Sequence, residues 1–272
     1  MLYYANSKTN MKKLPFNILM ASFLLLAVLG SGCAHHPRQQ DDTLYQVSTI
    51  DALLKASYDG DTDIKSLKRH GDFGLGTFNN LDGEMLLLDG TFYQIKSDGQ
   101  VYEASPETKT PFACVTFFDA KETFVMESGT NSAKFAKDSS MYFLPNYFYA
   151  VKIEGTFKMI KARSVPAQTK PYPLLAEVVK TQPVFEFKDV KGTLAGFFTP
   201  YFFKGINVPG THLHFISDDR KSGGHVLDFE ITEGFLKTDK TTNIFLSLPD
   251  SPEFSTMDFR NDLEKDLNKV EK

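Results

Sequence analysis

Short apolar runs that alternate with turn residues dominate the chain from residue 71 onwards, and this pattern is typical of a β-rich protein. The pairs Asp82-Gly83, Asp89-Gly90 and Asp98-Gly99 separate several of these runs, and Asp-Gly pairs favour tight turns between antiparallel strands. The runs predict β-strands at 45–47, 73–78, 84–88, 91–96, 100–103, 112–118, 123–126, 147–153, 156–160, 184–187, 193–198, 211–217, 225–231, 235–237 and 243–248.

Helical periodicity is confined to a few short segments. Ser48 with an acidic residue three positions later, Asp51, fits an N-terminal cap and predicts a helix that reaches about Tyr58. Further helices are predicted at 61–69, 132–139 and 174–180, and in the tail at 258–272, where apolar residues recur at helical spacing. The stretch 166–173 contains three prolines and is predicted to link two units.

The N-terminal 33 residues have the layout of an export signal. Lys12 and Lys13 precede an apolar run, Ile18–Gly30, which falls in the range of roughly 7–15 residues for a signal-peptide core. The run is too short for a membrane-spanning helix, which needs about 20 residues. Small residues then lead to Cys33, as at the cleavage site of a bacterial lipoprotein.

We therefore expect a signal peptide at 1–33, a polar tether at 34–43 and an exported, periplasmic or extracellular protein. Two outcomes remain open for the cysteine. Cys33 is either lipidated, which anchors the chain in a membrane, or the signal is simply cleaved and the protein is released.

Composition narrows the classes of function. Hydrophobic residues make up 42% and charged residues 24% of the chain, which is too apolar for intrinsic disorder. A net charge of −4 gives no basic surface for nucleic acid. Cys33 and Cys114 are the two cysteines and cannot form a disulfide framework. Cys114 lies in an apolar run, so we expect a buried, inert thiol rather than a nucleophile.

Three histidines are the strongest candidates for chemistry. His212 and His214 are two residues apart in a predicted strand, and this spacing places both imidazoles on one face. If the next segment forms a hairpin that pairs Ser217 with Ser222, His214 lies directly opposite His225. The three imidazoles then converge and predict a metal site, zinc first, with an open position for substrate.

The His-x-His strand by itself does not identify a family. Cupin barrels also carry it, with a glutamate four or five residues after the second histidine. Asp218 and Asp219 occupy those positions here, so the match to a cupin is partial. The predicted class is α+β, mainly β, with a mixed β-sheet unit at 44–165. A β-barrel-like unit at 166–272 carries the metal site and ends in a helix.

Eight sequence blocks carry a resemblance that covers nearly all of the chain after the tether. They are, in order, Tyr45-Gln-Val-Ser-Thr, Tyr58-Asp-Gly-Asp, Gly71-Asp-Phe-Gly-Leu-Gly-Thr-Phe-Asn, Leu81-Asp-Gly-Glu, Phe148-Tyr-Ala, Lys180-Thr-Gln-Pro, His212-Leu-His-Phe-Ile and Ser222-Gly-Gly-His. With these blocks the chain resembles the bacterial α-acetolactate decarboxylases. The resemblance implies conversion of 2-acetolactate to acetoin and carbon dioxide, with Zn²⁺ held by His212, His214 and His225.

The resemblance also implies further site residues. Glu84 matches an active-site glutamate of the family, Arg163 its arginine, and Thr77 a threonine near the site. A second glutamate comes from the family's C-terminal tail. Glu271 fits it best by its distance from His225, and Glu264 or Glu253 are alternatives. From the residues alone, Glu84 and Arg163 could equally be solvated charges at strand ends, and Thr77 an ordinary strand residue.

These residues suggest a mechanism. Zinc acts as a Lewis acid that stabilises an enediolate, Arg163 pairs with the substrate carboxylate or the enediolate, and Glu84 protonates it, with Glu271 as second carboxylate. The substrate's own ketone serves as electron sink, so no organic cofactor is expected. The family likeness further suggests a homodimer. The alternatives from other classes are a cupin-like metal-dependent oxygenase and a non-catalytic lipoprotein that binds a small acid.

Overall fold

β-Strands dominate the computed structural model, which describes residues 42–271. The strands are β1 (Thr43–Val47), β2 (Thr62–Asp63), β3 (Phe73–Thr77), β4 (Glu84–Leu88), β5 (Thr91–Ile95), β6 (Val101–Glu103), β7 (Lys109–Thr110), β8 (Ala113–Thr116), β9 (Glu122–Met126), β10 (Phe148–Arg163), β11 (Val184–Thr199), β12 (Gly210–Ser217), β13 (Gly223–Thr241) and β14 (Asn243–Ser247). The predicted signal peptide, Cys33 and nearly all of the predicted tether lie outside the described residues.

The helices are short and lie mainly outside the sheets. The α-helices are α1 (Ile50–Leu54), α2 (Ile64–Leu67), α3 (Ser132–Lys137), α4 (Leu175–Val178), α5 (Pro252–Thr256) and α6 (Glu264–Glu271). Single 3₁₀ turns occur at Asn79–Leu81, Ser139–Met141, Val179–Thr181 and Tyr201–Phe203. Among the described residues, no helix has the length and apolar character needed to cross a bilayer.

Two of the predicted helices begin or divide differently. Ser48 has a positive φ of 63° and does not cap α1. The cap is Thr49, whose Oγ1 accepts a hydrogen bond from Ala52 N at 3.2 Å. The predicted tail helix at 258–272 is confirmed only as α6, and α5 precedes it without having been predicted. Ser251 caps α5 and proline follows at its first position, a combination typical of a helix start.

Seven strands form one sheet in the order β14-β1-β8-β3-β4-β5-β6. Neighbours are antiparallel except β1 and β14, which run parallel. The turn between β4 and β5 contains Asp89 and Gly90 with φ values of 50° and 78°, as the predicted tight Asp-Gly turn requires. This sheet carries the start of β4, where Glu84 lies.

Five longer strands form a second sheet in the order β10-β11-β12-β13-β9, and β10 also pairs with β13. The pairings β10–β11, β11–β12, β12–β13 and β13–β10 therefore form a closed series. The mainly β character is confirmed, and the barrel-like shape expected for 166–272 stays a prediction.

The predicted breaks in three strands were wrong, because glycine at these places permits close approach of neighbouring strands. Gly155 of β10 pairs with Gly192 of β11 and Gly234 of β13. A Cβ atom on Gly155 would lie 2.2 Å from the carbonyl oxygen of Glu233. A Cβ atom on Gly192 would lie 2.4 Å from the carbonyl oxygen of Ile216, and one on Gly234 would lie 2.5 Å from that of Glu154. β10, β11 and β13 thus continue through residues that end strands elsewhere.

The predicted division into 44–165 and 166–272 does not follow the sheets. β9 and β10, from the first segment, belong to the five-stranded sheet, and β14, from the second, belongs to the seven-stranded sheet. All described residues fall in one compact unit. Pairing between strands distant in sequence decided this arrangement, and no local pattern in the sequence reports it.

An apolar core joins the two sheets. It combines residues of the seven-stranded sheet, such as Phe73 and Leu75, with Phe148 and Phe197 of the five-stranded sheet. The rings of Phe73 and Phe197 meet edge to face with centroids 6.0 Å apart. Cys114 lies fully buried in this core, as predicted, and burial raises the pKa of its thiol.

A buried carboxylate on β13 couples folding stability to pH. Asp239 is 2% exposed. Its Oδ2 accepts the backbone N–H of Asp119 at 2.9 Å, while its Oδ1 has no hydrogen-bond partner among the described residues. Burial raises the pKa of Asp239 from 3.8 to about 6, against the lowering by the Asp119 N–H and by Lys121. The folded state therefore binds this proton more tightly than the unfolded chain, and stability falls as the pH rises through that interval.

Replacing this carboxylate should stabilise the protein at alkaline pH alone. Asp239→Asn removes the charge and keeps an oxygen for the Asp119 N–H. We expect the melting temperature at pH 8 to rise by roughly 2–4 °C, which corresponds to about 1 kcal/mol in a domain of this size. At pH 4 we expect little change. Scanning calorimetry at both pH values measures the difference, with Asp61→Asn as the exposed control. An equal gain at both pH values would contradict the assigned titration.

Candidate active site

The β12–β13 hairpin has the predicted register. Ser217 N donates to Ser222 O at 2.9 Å, and His214 lies directly opposite His225. Within the turn, the hydroxyl of Ser217 accepts the backbone N–H of Ser222 at 3.1 Å and donates to Asp219 at 2.7 Å. The serine side chain therefore stabilises the turn that fixes the register of the histidines.

Three imidazoles converge beside this hairpin, as predicted. His212, His214 and His225 are 8%, 1% and 3% exposed. Each offers a ring nitrogen, and the three nitrogens lie within 4.8 Å of one another. His212 Nε2 and His225 Nδ1 are 3.1 Å apart. Such a cluster of nitrogen donors fits a divalent cation such as zinc.

The imidazoles are held in their neutral form. Burial lowers the pKa of His212 to about 3 and the pKa values of His214 and His225 well below their usual range. His214 Nδ1 lies 2.8 Å from the carbonyl oxygen of Met85, so it carries the N–H and leaves the lone pair of Nε2 free. His212 Nδ1 is buried without a partner among the described residues. Neutral rings with free lone pairs are the state that binds metal.

Two carboxylates flank the histidines. Glu84, the first residue of β4, places Oε2 3.7 Å from His214 Nε2. Glu271, at the end of α6, places Oε2 3.8 Å from His212 Nε2 and 3.6 Å from His225 Nε2. Burial raises the pKa values of both glutamates to about 7, against the lowering by Arg163. Both carboxyl groups can therefore exchange protons near neutral pH.

Arg163 supplies the buried positive charge of the site. It is the last residue of β10, opposite His225, and is 3% exposed. Nη1 donates to Gln182 Oε1 at 2.8 Å and Nη2 to the carbonyl oxygen of Val270 at 2.6 Å. Its Nε has no partner, and among residues 42–271 no carboxylate oxygen lies within 4.0 Å of the guanidinium. The geometry leaves this cation available to an anionic ligand.

Thr77 supports the position of Glu84. The two residues are opposite each other on β3 and β4. Thr77 Oγ1 donates to the carbonyl oxygen of Gly83 at 2.7 Å, which holds the turn immediately before the glutamate. Thr77 and its neighbour Gly76 both line the cavity.

Of the three glutamates considered for the second carboxylate, Glu271 is the one that lies at the cavity. Glu271 lines the cavity with the histidines. Glu264 instead accepts a hydrogen bond from Lys204 Nζ at 2.7 Å, and Glu253 lies in a separate groove beside Lys170. The helix is held at its start by Lys204, and on its apolar face by packing of Leu267 in a cluster that includes α4.

All seven site residues chosen from the sequence line one cavity, and several further residues complete it. Gln182 positions Arg163, and Met85 orients His214 through its carbonyl group. The apolar wall consists of Ile50, Leu53, Leu81, Phe112, Val165, Leu175 and Val270. Gln182 belongs to a sequence block used for the resemblance and could have been found there. The wall comes from six separate segments and has no local signal.

Comparison with known proteins finds similarity to one family over most of the chain. The family model described as Alpha-acetolactate decarboxylase matches residues 44–261. An alpha-acetolactate decarboxylase of Methanosarcina mazei is 54% identical over 233 residues, which are 85% of this chain and 81% of the relative. One from Brevibacillus brevis is 47% identical over 218 residues, 80% of this chain and 76% of the relative. The crystal structure of the Bacillus subtilis strain 168 enzyme is similar with a TM-score of 0.82 and 41% identity, and covers 84% of this chain and 99% of that chain.

Removing one imidazole should abolish tight binding of a divalent cation. Loss of a hydrogen-bond partner of a metal ligand typically weakens metal binding about 10–100-fold. His214→Ala removes a proposed ligand itself. It should therefore weaken Zn²⁺ binding by more than about 100-fold. Competition with a chromogenic chelator measures the affinity. His70→Ala is the matched control, since His70 stacks on Tyr45 and does not line the cavity. Equal Zn²⁺ affinity in the two variants would refute the ligand assignment.

Proposed function

The chain belongs to the alpha-acetolactate decarboxylase family of carboxy-lyases, and from this membership we propose that it converts 2-acetolactate to acetoin and carbon dioxide with a zinc ion bound by His212, His214 and His225. The observation that carries the proposal is the meeting of three buried, neutral imidazoles with one buried arginine in a single cavity. A divalent cation and an anionic substrate together complement this set of charges.

The ligand set fits zinc. Three imidazole nitrogens from the protein leave a coordination position for substrate, which is the arrangement of catalytic zinc sites. Zinc held by these three imidazoles would supply Lewis-acid chemistry, which would offset the negative charge left by decarboxylation.

Arg163 binds the negative charge of the substrate. The guanidinium is fixed on two sides by Gln182 and the Val270 carbonyl group, so it meets a carboxylate without having to reorganise. The apolar wall beside it excludes water and accommodates the methyl groups of acetolactate. When the bond between the carboxylate and the neighbouring carbon breaks, the electron pair moves towards the ketone and carbon dioxide leaves.

Glu84 then delivers the proton that completes the reaction. The carbon that has lost its carboxylate takes up one proton, and acetoin is formed. The Oε1 atom of Glu84 is buried and has no partner among the described residues, so it can face the substrate. Glu271 contacts the other side of the histidine cluster and serves as the second carboxylate, which returns Glu84 to its protonated state.

We also propose that the protein is exported and lipid-anchored through Cys33. The support is the order of Lys12 and Lys13, the apolar run Ile18–Gly30 and small residues before the cysteine. Mass spectrometry of the protein purified from membranes tests this directly. A chain that begins at Cys33 with an acyl adduct is expected, and an unmodified cysteine would refute lipidation.

A homodimer is part of the same proposal. β14 is an edge strand of the seven-stranded sheet, and its Ile244 and Phe245 side chains are 37% and 54% exposed. An exposed edge with apolar side chains is suited to pairing with a second copy. Light scattering at several protein concentrations measures the oligomeric state.

Metal removal should stop turnover reversibly. Dialysis against a chelator removes the zinc, and we expect acetoin formation from racemic acetolactate to fall to the uncatalysed rate because the charge left by decarboxylation is no longer offset. One equivalent of Zn²⁺ should restore it. Circular dichroism serves as the control for intact folding. Full acetoin formation by metal-free protein would remove the zinc mechanism.

Replacement of the buried Arg163 should impair catalysis while metal binding is retained. Arg163→Ala should retain zinc and lower kcat/KM by about 100-fold or more, the usual effect of losing a preorganised charge contact. Arg260→Ala, whose exposed side chain pairs with Asp258 and lies outside the cavity, is the control with unchanged turnover. The idea fails if both variants keep the parent kcat/KM, or if Arg163→Ala loses its zinc.

A further inference from the structure

Three apolar side chains form an exposed patch at one end of the five-stranded sheet. Met141, Leu144 and Tyr147 are 68%, 56% and 40% exposed, and they lie within the segment that precedes β10. We call these three residues the apolar patch. Single exposed apolar residues are common in folded proteins, whereas neighbouring ones mark interaction surfaces.

The apolar patch lies close to the start of β1. Asp42, directly before β1, lines a groove together with Met141, Leu144 and Lys240. The ammonium group of Lys240 lies 4.8 Å from the centroid of the Tyr147 ring. Asp42, the first described residue, therefore lies beside the patch.

Two more exposed aromatic residues extend this surface. Tyr201 and Phe202 are each 66% exposed. Tyr201 lines an adjoining groove with Pro145, which follows Leu144 in the chain. The ring of Phe202 packs against that of Phe148, next to Tyr147, with centroids 6.3 Å apart. Exposed apolar side chains therefore occur both in the loop before β10 and in the turn after β11.

The length of the segment outside the structure restricts what can cover the patch. Nine residues lead from Cys33 to Asp42, and a fully extended chain spans at most about 3.3–3.6 Å per residue. A lipid on Cys33 would keep this end of the molecule within about 30 Å of the bilayer. Asp42 lines the same groove as Met141 and Leu144, so the patch lies within reach of that bilayer.

We propose that the apolar patch lies against the lipid bilayer in which Cys33 is anchored, and that it orients the enzyme on the membrane. The proposal rests on the proposed lipidation of Cys33. Met and Leu side chains suit shallow insertion between headgroups, and Tyr147 beneath Lys240 combines an aromatic ring and an ammonium group, as at membrane interfaces.

The charges around the patch indicate whether apolar or electrostatic attraction would hold it against the bilayer. Lys121 and Lys240 are balanced by Asp42 and Glu122 in the same groove. The contact is therefore apolar rather than electrostatic, and it persists at high salt and on zwitterionic lipid. None of the patch residues lines the catalytic cavity, so the contact can be altered while turnover is preserved.

A fluorophore placed in the patch tests the proposal in the full, lipidated chain. Leu144→Cys is labelled with an environment-sensitive dye and reconstituted in phosphatidylcholine vesicles that contain a nitroxide-labelled lipid. Cys114 is buried and stays unlabelled. The matched control is Val125→Cys. Val125 is 76% exposed, and it points away from the groove because its neighbour Phe124 lines that groove while Val125 lines another.

We expect the nitroxide lipid to quench the dye at position 144 at least three-fold more than the dye at position 125, at both 50 mM and 500 mM salt. Equal quenching at the two positions overturns the proposal. So does shielding of the dye at position 144 without vesicles that grows with protein concentration, because a second copy then covers the patch. An unmodified Cys33 in mass spectrometry also overturns it. Acetoin formation is assayed in parallel, so failure of the proposed catalytic function is distinguished from failure of membrane contact.

Discussion

The pairing of His214 with His225 across the β12–β13 hairpin is the constraint on which the site depends. Side chains alternate along a strand, so a slip of one residue would turn His225 to the opposite face and separate it from the other two rings. Ser217 opposes such a slip through its backbone and hydroxyl bonds to Ser222. β10 uses the same register, since Arg163 lies opposite His225 on the other side. Backbone pairing of β13 with its two neighbours thus fixes the positions of both the imidazole cluster and the buried cation.

Several charged and polar groups of the cavity have no ionic partner among the described residues. Three neutral rings present lone pairs, two acids have pKa values raised to about 7, and Arg163 binds neutral acceptors rather than a carboxylate. Burying such groups without full compensation costs stability. A divalent cation and a small anion would supply that compensation, which explains why folding tolerates the cavity.

Features that depend on neighbours in sequence could be predicted, and features that depend on distant pairing could not. The His-x-His strand, the Ser217–Ser222 turn and the convergence of the rings follow from alternation and turn geometry. By contrast, Gly155 and Gly192 fall between predicted strands, and only their pairing with each other in adjacent strands shows that they are points of close backbone approach. Glu271 was one of three candidates, because the path of the tail depends on the packing of α6. Gln182 lies in a block that carries the resemblance, but its contact with Arg163 becomes visible only in the structure.

The last helical turn described has a consequence for how the enzyme matures. Val270 and Glu271 contribute a carbonyl group, a wall side chain and an acid to a cavity whose other parts come from strands that pair without them. A nascent chain that emerges N-terminus first can therefore assemble both sheets while its reaction chamber is still open.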